Sequence, residues 1–324
     1  MKKEVAIGID IGGTNTVIGV VDRSGNLLAE SATPTLTNTD VKNYLDVLSA
    51  KINETVYELD EEVEVMGIGV GAPSSNYYTG EIVGASNLGW GDVVPFVKLL
   101  REYFDYPAIA LTNDANSAAM GELMYGGARG MSNFIMLTLG TGVGSGIIVN
   151  NELVLGHDGF AGELGHVITE RNGRECGCGR KGCLETYASA TGICRTVSEL
   201  NANTKIPSDL RKVPSGQFTS KMVYDAAVKG DELALEAFEQ TGMMLGRAIA
   251  DFVAFSSPEA VFLFGGLAQA GDYIFKPTKK HMEENMCFLY SDKVQLLPSK
   301  LDGAKIAVLG ASAIVWKELE QVEQ

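Results

Sequence analysis

Three cysteines within eight residues, Cys176, Cys178 and Cys183, lie shortly after His166. Three thiolates and one imidazole form a Cys3His set, a donor number and type that zinc takes in tetrahedral geometry. Glycines at 177, 179 and 182 allow the tight wrap that such a set needs. With all four positions filled by protein, the chemistry is that of a closed structural site, not of a zinc that keeps a place for water. Metal binding of this kind contributes on the order of 10 kcal/mol to local folding. Three incidental core cysteines are the plainer alternative, and the interleaved glycines and basic residues fit it poorly. Cys194 and Cys287 stand alone and read as core residues.

Two carboxylates flank this cluster, Glu163 in Gly162-Glu163-Leu164-Gly165-His166 and Glu185 in Cys183-Leu184-Glu185-Thr186. If a metal fixes the loop, both are held where they can accept hydrogen bonds from sugar hydroxyls, and such groups discriminate well between substrates. Helix capping or a surface ion pair is the alternative for each. Asn87, in Ser86-Asn87-Leu88-Gly89-Trp90, is a further hydroxyl partner or simply an Asn-x-Gly turn.

Glycine-rich turns supply the second kind of chemistry. Asp10-Ile11-Gly12-Gly13-Thr14-Asn15-Thr16 and Gly140-Thr141-Gly142-Val143-Gly144-Ser145-Gly146 each lie between two apolar runs of strand type. Glycines let backbone N–H groups approach an anion, and Thr or Asn side chains add hydrogen bonds. Asp10, at a strand end, can hold Mg2+ through water, or merely cap a tight turn. The second loop lacks the Gly-Lys-Ser/Thr ending of a P-loop and is followed by a strand, whereas a dinucleotide fingerprint requires a helix there. Two such hairpins facing one another are the means by which an actin-like ATPase fold holds the phosphates of ATP, and Gly265-Gly266, after Ala260–Phe264, would lie under the nucleotide. Asn113-Asp114 follows the strand-like Ala108–Thr112 and opens a helix. Asp114 is a natural N-cap, and equally a carboxylate at the sheet edge where ligands bind, able to deprotonate an attacking hydroxyl.

The elements that must position these residues are legible from periodicity. Strands are expected near 4–10, 17–22 and 27–33, a helix from Asp40 to Leu59 and a strand over Val63–Gly71. A helix over Val94–Phe104 and the strand Ala108–Thr112 follow. The hairpin pattern of residues 4–30 recurs at 134–155, an internal repeat of architecture with little identity. An amphipathic helix is expected from Asp231 to Phe255, a strand at Ala260–Phe264 and a helix over 269–285. Strands near Val294–Pro298 and Lys305–Leu309 then precede a closing helix from about Ala311. Residues 201–218, with Pro207, Pro214 and Gly216, read as a loop insertion.

The chain has 324 residues, 45% apolar and 21% charged, and a formal net charge of −15. That length favours two domains, and the charge disfavours nucleic acid and anionic lipid as partners. No apolar run approaches the ~20 residues of a membrane span, and the first residues lack the plan of a signal peptide. A cytoplasmic address is expected, where an odd number of cysteines points to metal rather than disulfides.

Taken together, the motifs resemble the ROK group of bacterial repressors and sugar kinases, and among these the ATP-dependent glucokinases. The resemblance spans nearly the whole chain. It rests on Glu163-x-Gly165-His166 and Cys176-x-Cys178-Gly179-x-x-Gly182-Cys183-x-Glu185, with Asp10-x-Gly12-Gly13-Thr14, Asn113-Asp114 and Gly140-Thr141-Gly142. It implies an α/β actin-like ATPase (ribonuclease H-like) fold of two domains with a cleft between them. Residues 1–113 plus 311–324 would form the smaller domain and 114–310 the larger, zinc-bearing one. It further implies Asp114 as catalytic base and Asn87, Asn113, Asp114, Glu163, His166 and Glu185 as sugar contacts. Asp10, Gly12, Gly13, Thr14, Asn15, Gly140, Thr141, Gly142, Gly265 and Gly266 would bind Mg2+ and ATP. Structural Zn2+ would sit on His166, Cys176, Cys178 and Cys183, in a homodimer or homotetramer. Two departures concern the sugar pocket. Ser74, in Gly71-Ala72-Pro73-Ser74, stands where a small Gly is expected, and the Asn87–Trp90 stretch is a tight version of its kind.

The expected activity is therefore phosphorylation of a hexose at its 6-hydroxyl, with glucose first, N-acetylmannosamine second and fructose third. A sugar-responsive transcriptional repressor is the alternative from another class. It is disfavoured by the charge and by the nine residues before Asp10, too few for a DNA-binding module. An actin-like assembly ATPase would need neither the metal cluster nor its glutamates.

Overall fold

The first strand, β1 (Lys3–Ile11), is buried without a break from Val5 to Ile9, as a strand covered on both faces must be. The computed structural model that shows this describes residues 2–37, 39–85, 88–214, 216–301, 303 and 305–322. Its contacts divide the chain into two units, Met1–Met131 with Leu153–Ala161 and Lys300–Gln324, and Ser132–Glu152 with Gly162–Ser299.

In the first unit β1 forms an antiparallel meander with β2 (Asn15–Asp22) and β3 (Leu27–Pro34). Helix α1 (Val41–Tyr57) follows, capped by the Asp40 side chain accepting from the Lys42 N–H, and then β4 (Val63–Gly71). The short β5 (Ser75–Asn76), β6 (Glu81–Val83) and β7 (Val93–Val94) make a separate small sheet. Helix α2 (Phe96–Leu100), β8 (Ala108–Thr112) and α3 (Asp114–Tyr125) complete this part. The five-stranded sheet has the order β3-β2-β1-β4-β8, with β4 parallel to β1 and β8 parallel to β4. Helix α2 is shorter than the 94–104 expected. Beyond Leu100 the chain tightens into turns bonded three residues back, Glu102 to Leu99 and Tyr103 to Leu100.

The second unit repeats the plan. Strands β9 (Phe134–Leu139) and β10 (Val143–Val149) form a hairpin, joined by β11 (Glu152–Leu153). After the metal loop come α4 (Glu185–Ala188), α5 (Ala190–Asn203), α6 (Ser220–Val228) and α7 (Glu232–Ser256). Helix α7 is capped by Asp231. Then come β12 (Ala260–Phe264), α8 (Asp272–Asn285) and β13 (Gln295–Pro298). The order β11-β10-β9-β12-β13, with β12 parallel to both β9 and β13, reproduces the first sheet strand for strand. A doubled sheet of this kind is the actin-like ATPase fold.

The closing helix α9 (Ile306–Val322) groups with the first unit and corrects one expectation. Lys305–Leu309 is not a strand; the helix has begun by Ile306. Its apolar residues are buried on several sides, so periodicity cannot separate it from a strand. Glycine makes the packing possible: a Cβ on Gly8 would overlap the Val308 carbonyl oxygen, and one on Gly69 the Ala311 carbonyl oxygen. Helix α3 packs along the same helix, Gly310 against the Ser117 carbonyl. Contacts therefore group α3 with the first unit, although a boundary after residue 113 was expected. Among the described residues no helix is long and apolar enough to cross a membrane.

Candidate active site and metal centre

In the first sheet the parallel register sets Asp10, Gly71 and Thr112 in one row across β1, β4 and β8. Adjacent strands lie ~4.8 Å apart, so Asp10 and Thr112 are separated by about 10 Å along the carboxyl edge where α/β sheets take ligands. Asp10 is half-buried. Burial, and then the charge of Asp114, push its carboxyl up to about 6. The turn beyond it is clamped from below. The Gly12 N–H donates to the Asn15 carbonyl at 3.1 Å, and Thr35 donates through its hydroxyl to the Gly12 carbonyl at 2.7 Å. The Thr16 hydroxyl pairs with Thr35 at 3.1 Å and Tyr44 at 2.8 Å, all buried. Gly13, Thr14 and Asn15 are left exposed.

At the end of β8 the capping alternative for Asp114 is excluded by its neighbour. Asn113 is the N-cap of α3, its side chain accepting from the Asn116 N–H at 2.6 Å. Asp114 occupies the first helical position, where its carboxylate accepts from the Ala115 N–H at 2.8 Å. Burial raises its pKa, and the Ala115 N–H restrains the rise. The residue is nonetheless exposed, so a ligand can reach it. Asn87 lies outside the described residues.

In the second unit the Gly140–Gly142 turn is closed by the Gly140 N–H donating to the Gly142 carbonyl at 3.0 Å. The start of α5 holds it: the Ala190 N–H donates to the Gly140 carbonyl at 2.8 Å and the Thr191 hydroxyl to the Thr141 carbonyl at 2.7 Å. Gly265 follows β12 with φ 100°, so close to β9 that a Cβ would stand 2.7 Å from the Leu139 carbonyl oxygen. Two depressions adjoin these turns. One of 430 Å3 runs from Thr141 and Thr191 to Phe218 and Ser220, and one of 310 Å3 from Gly266 and Gln269 to Ser220, Lys221 and Tyr224. Residues 218–224 escaped sequence reasoning, because their polar types are those of any helix start.

The metal cluster is assembled. The donor atoms of His166, Cys176, Cys178 and Cys183 all lie within 4.8 Å of one another. Cys178 and Cys183 sulfurs are 3.7 Å apart, and the Cys176 sulfur is 3.6 Å from His166 Nδ1. Bonds of ~2.3 Å from a tetrahedral zinc to sulfur require an edge of ~3.8 Å, so the donor set fits that ion. Gly179 (φ 84°) and Gly182 (φ 82°) turn the loop through conformations that side-chain-bearing residues avoid. Backbone and side-chain bonds from Arg180 pull the Cys178 thiol down to about 6, toward the thiolate that ligation needs.

Glu163 stands just before a single 3-10 turn, Leu164–His166. Ser145 fastens this turn to β10, donating to the Gly162 carbonyl and accepting from the Leu164 N–H. Glu185, the first residue of α4, lies beside the cluster, its Oε1 3.6 Å from His166 Nδ1. Gly142 leaves it room: a Cβ there would come within 2.6 Å of Glu185 Oε2. The first unit thus gathers Asp10, the Gly12–Asn15 turn, Asn113 and Asp114. The second gathers both remaining glycine turns, the metal ligands and the two glutamates.

A family model described as the ROK family matches residues 6–318. The chain belongs to the ROK family. It is 36% identical over 321 residues to a glucokinase of Halalkalibacterium halodurans, covering 95% of this chain and 91% of that protein. A glucokinase of Thermotoga maritima is 34% identical over 323 residues, covering 98% and 99%. Among solved structures, a ROK family glucokinase from Streptomyces griseus in complex with glucose and AMPPNP gives a TM-score of 0.78. It is 29% identical, over 97% of this chain and 99% of that one.

Proposed function

We propose that this ROK chain is an ATP-dependent glucokinase, transferring the γ-phosphoryl group of ATP to the 6-hydroxyl of glucose. The observation that carries the reading is Asp114: a carboxylate relieved of capping by Asn113, raised in pKa and placed at the carboxyl edge of the sheet. That two relatives at 34–36% identity are named glucokinase supports glucose as the hexose.

Asp114 accepts the proton of the 6-hydroxyl as its oxygen attacks the γ-phosphorus. The bond from that phosphorus to the bridging oxygen breaks, and ADP leaves with the electron pair. Asn113, Glu163, Glu185 and the Nε2 edge of His166 bind the sugar hydroxyls, as does Asn87. The N–H groups of Gly13, Thr14 and Asn15 and of Thr141 and Gly142 bind phosphate, with Gly265-Gly266 beneath the nucleotide and the base in the depression reaching Tyr224. Asp10 is the residue that would hold Mg2+, an ion that would supply neutralisation of the charge on the migrating phosphoryl group. His166 and the three cysteines would hold a structural zinc, which would supply the rigidity that keeps His166 and, through the loop, both glutamates in place.

Asp114→Asn tests the assignment. It should lower kcat by ~10²–10⁴ while glucose binding stays measurable by calorimetry; near-normal kcat would show that Asp114 is not the base. An ADP-release assay over glucose, N-acetylmannosamine and fructose tests the substrate, and a preference for either of the latter sinks glucose specificity.

A further inference from the structure

Within the metal loop, Arg174 turns its side chain inward, only 8% exposed. The guanidinium lies over the ring of Tyr187, 4.4 Å from its centroid. It donates to the carbonyls of Thr186 at 2.7 Å and Gly192 at 3.1 Å. It also donates to the Thr196 hydroxyl at 2.9 Å and grips Glu199 bidentately at 2.8 and 2.6 Å. Its own N–H donates to the Tyr187 hydroxyl at 2.9 Å. Gly173 permits that approach, since a Cβ there would overlap the same hydroxyl.

The two carbonyls bracket the corner between α4 and α5. Thr186 directly follows Glu185, on the side of the acceptor. On the other side, Ser189 caps α5 by accepting from the Gly192 N–H at 2.9 Å, and Ala190 and Thr191 hold the Gly140 and Thr141 carbonyls. One corner thus carries a sugar-binding carboxylate at its start and clamps a phosphate-binding turn at its end. Nη1 alone bonds both ends of the corner while Nε and Nη2 stay fixed on Glu199 and Thr196, an oriented hold that a lysine's single ammonium cannot reproduce.

We propose that Arg174 is a positioning residue that ties Glu185 and the Gly140–Gly142 turn to the metal loop, and so sets the affinity for both substrates. This rests on the kinase reading. The competing role, that Arg174 only stabilises the loop, predicts lost zinc and lost active protein without a matched change in both KM values.

The test compares zinc-loaded full-length wild type, Arg174→Met, Arg174→Lys and, as a charge-matched control from the same loop, Arg171→Met, which is exposed. Readouts are KM for glucose, KM for MgATP, kcat and zinc per chain. Arg174→Met should raise both KM values about tenfold, because small misplacements of binding groups carry such factors, with kcat within about threefold and zinc retained. Arg174→Lys should show the same paired rise, recovering less than half of it, and serves alone if the Met variant does not fold. Arg171→Met should move neither KM. The inference is overturned if both KM values stay within about twofold of wild type, if only the glucose value rises, or if zinc leaves with the arginine. A wild type that phosphorylates no sugar would instead sink the kinase reading, whatever Arg174 does.

Discussion

The two glycine hairpins sit at equivalent places in two sheets of identical order, yet they are held by different means. The turn after β1 is clamped within its own sheet and by α1, through Thr35, Thr16 and the buried Tyr44 hydroxyl. The turn after β9 is held by the α4–α5 corner, which hangs from the metal loop through Arg174. Repetition fixed the backbone plan while the supports diverged. The first turn is autonomous, whereas the second depends on the loop that carries the Cys3His set.

Removing the metal should break this symmetry most severely. Cys183→Ser, or a strong chelator, withdraws binding that contributes on the order of 10 kcal/mol to local folding. Activity should vanish, and hydrogen exchange should quicken at residues 140–142 and 163–166 while 12–15 keep their protection. Equal loss of protection at both turns would show that the supports are not independent. The converse is Thr16→Val, which leaves the buried Tyr44 hydroxyl without its partner. It should destabilise by about 1–3 kcal/mol and raise KM for MgATP with zinc content unchanged.

Asp10 has no acidic counterpart in the second hairpin, where the equivalent register position is Thr138, and its raised carboxyl gives a sharper comparison. Its folded value of about 6 lies above the ordinary 3.8, so its ionised form opposes folding. That burden is full above pH 6 and disappears as pH falls toward 4. Asp10→Asn should therefore stabilise the metal-free chain at pH 8, by up to about 3 kcal/mol, and by much less at pH 5. The same titration should raise the wild-type KM for MgATP as pH drops below 6, because a protonated Asp10 loses its hold on the cation. Denaturant melts at the two pH values check the first claim; equal gains at both would refute it.

How far the sequence discloses these differences depends on how local their causes are. The Cys3His set and the glycine turns are written in spacings of a few residues, and the structure assembles both; the helices expected from Asp40 and Asp231 begin there, each aspartate proving to be the cap. The helical start of α9 is not, because an apolar run buried on several sides loses its period. The sequence leaves open whether Asp114 caps α3 or does chemistry; hydrogen-bond geometry gives the cap to Asn113, a role not expected of it from sequence. Arg174 carried no local signal at all, since its partners lie twelve to twenty-five residues further along the chain.

The smallest expected effect concerns the loops after β4 and β12, again equivalent in the two sheets. The second uses Gly265 at φ 100°, while the first places exposed Ser74 at φ 52°, where the resemblance to the ROK pattern implies a glycine. A left-handed conformation costs a side-chain-bearing residue roughly 1–2 kcal/mol, and the Val83 N–H holds it there by donating to the Ser74 carbonyl at 3.0 Å. Glycine would relieve that strain but would give the unfolded chain more freedom, which offsets roughly 0.5–1 kcal/mol. Ser74→Gly should therefore stabilise by a net ~0.5 kcal/mol, a rise of about 1–2 °C in Tm. Gly265→Ser should do the opposite and more strongly, since its Cβ would also stand 2.7 Å from the Leu139 carbonyl oxygen. If Ser74→Gly lowers Tm, the serine hydroxyl is making a bond that outweighs the strain, and the two loops are not equivalent.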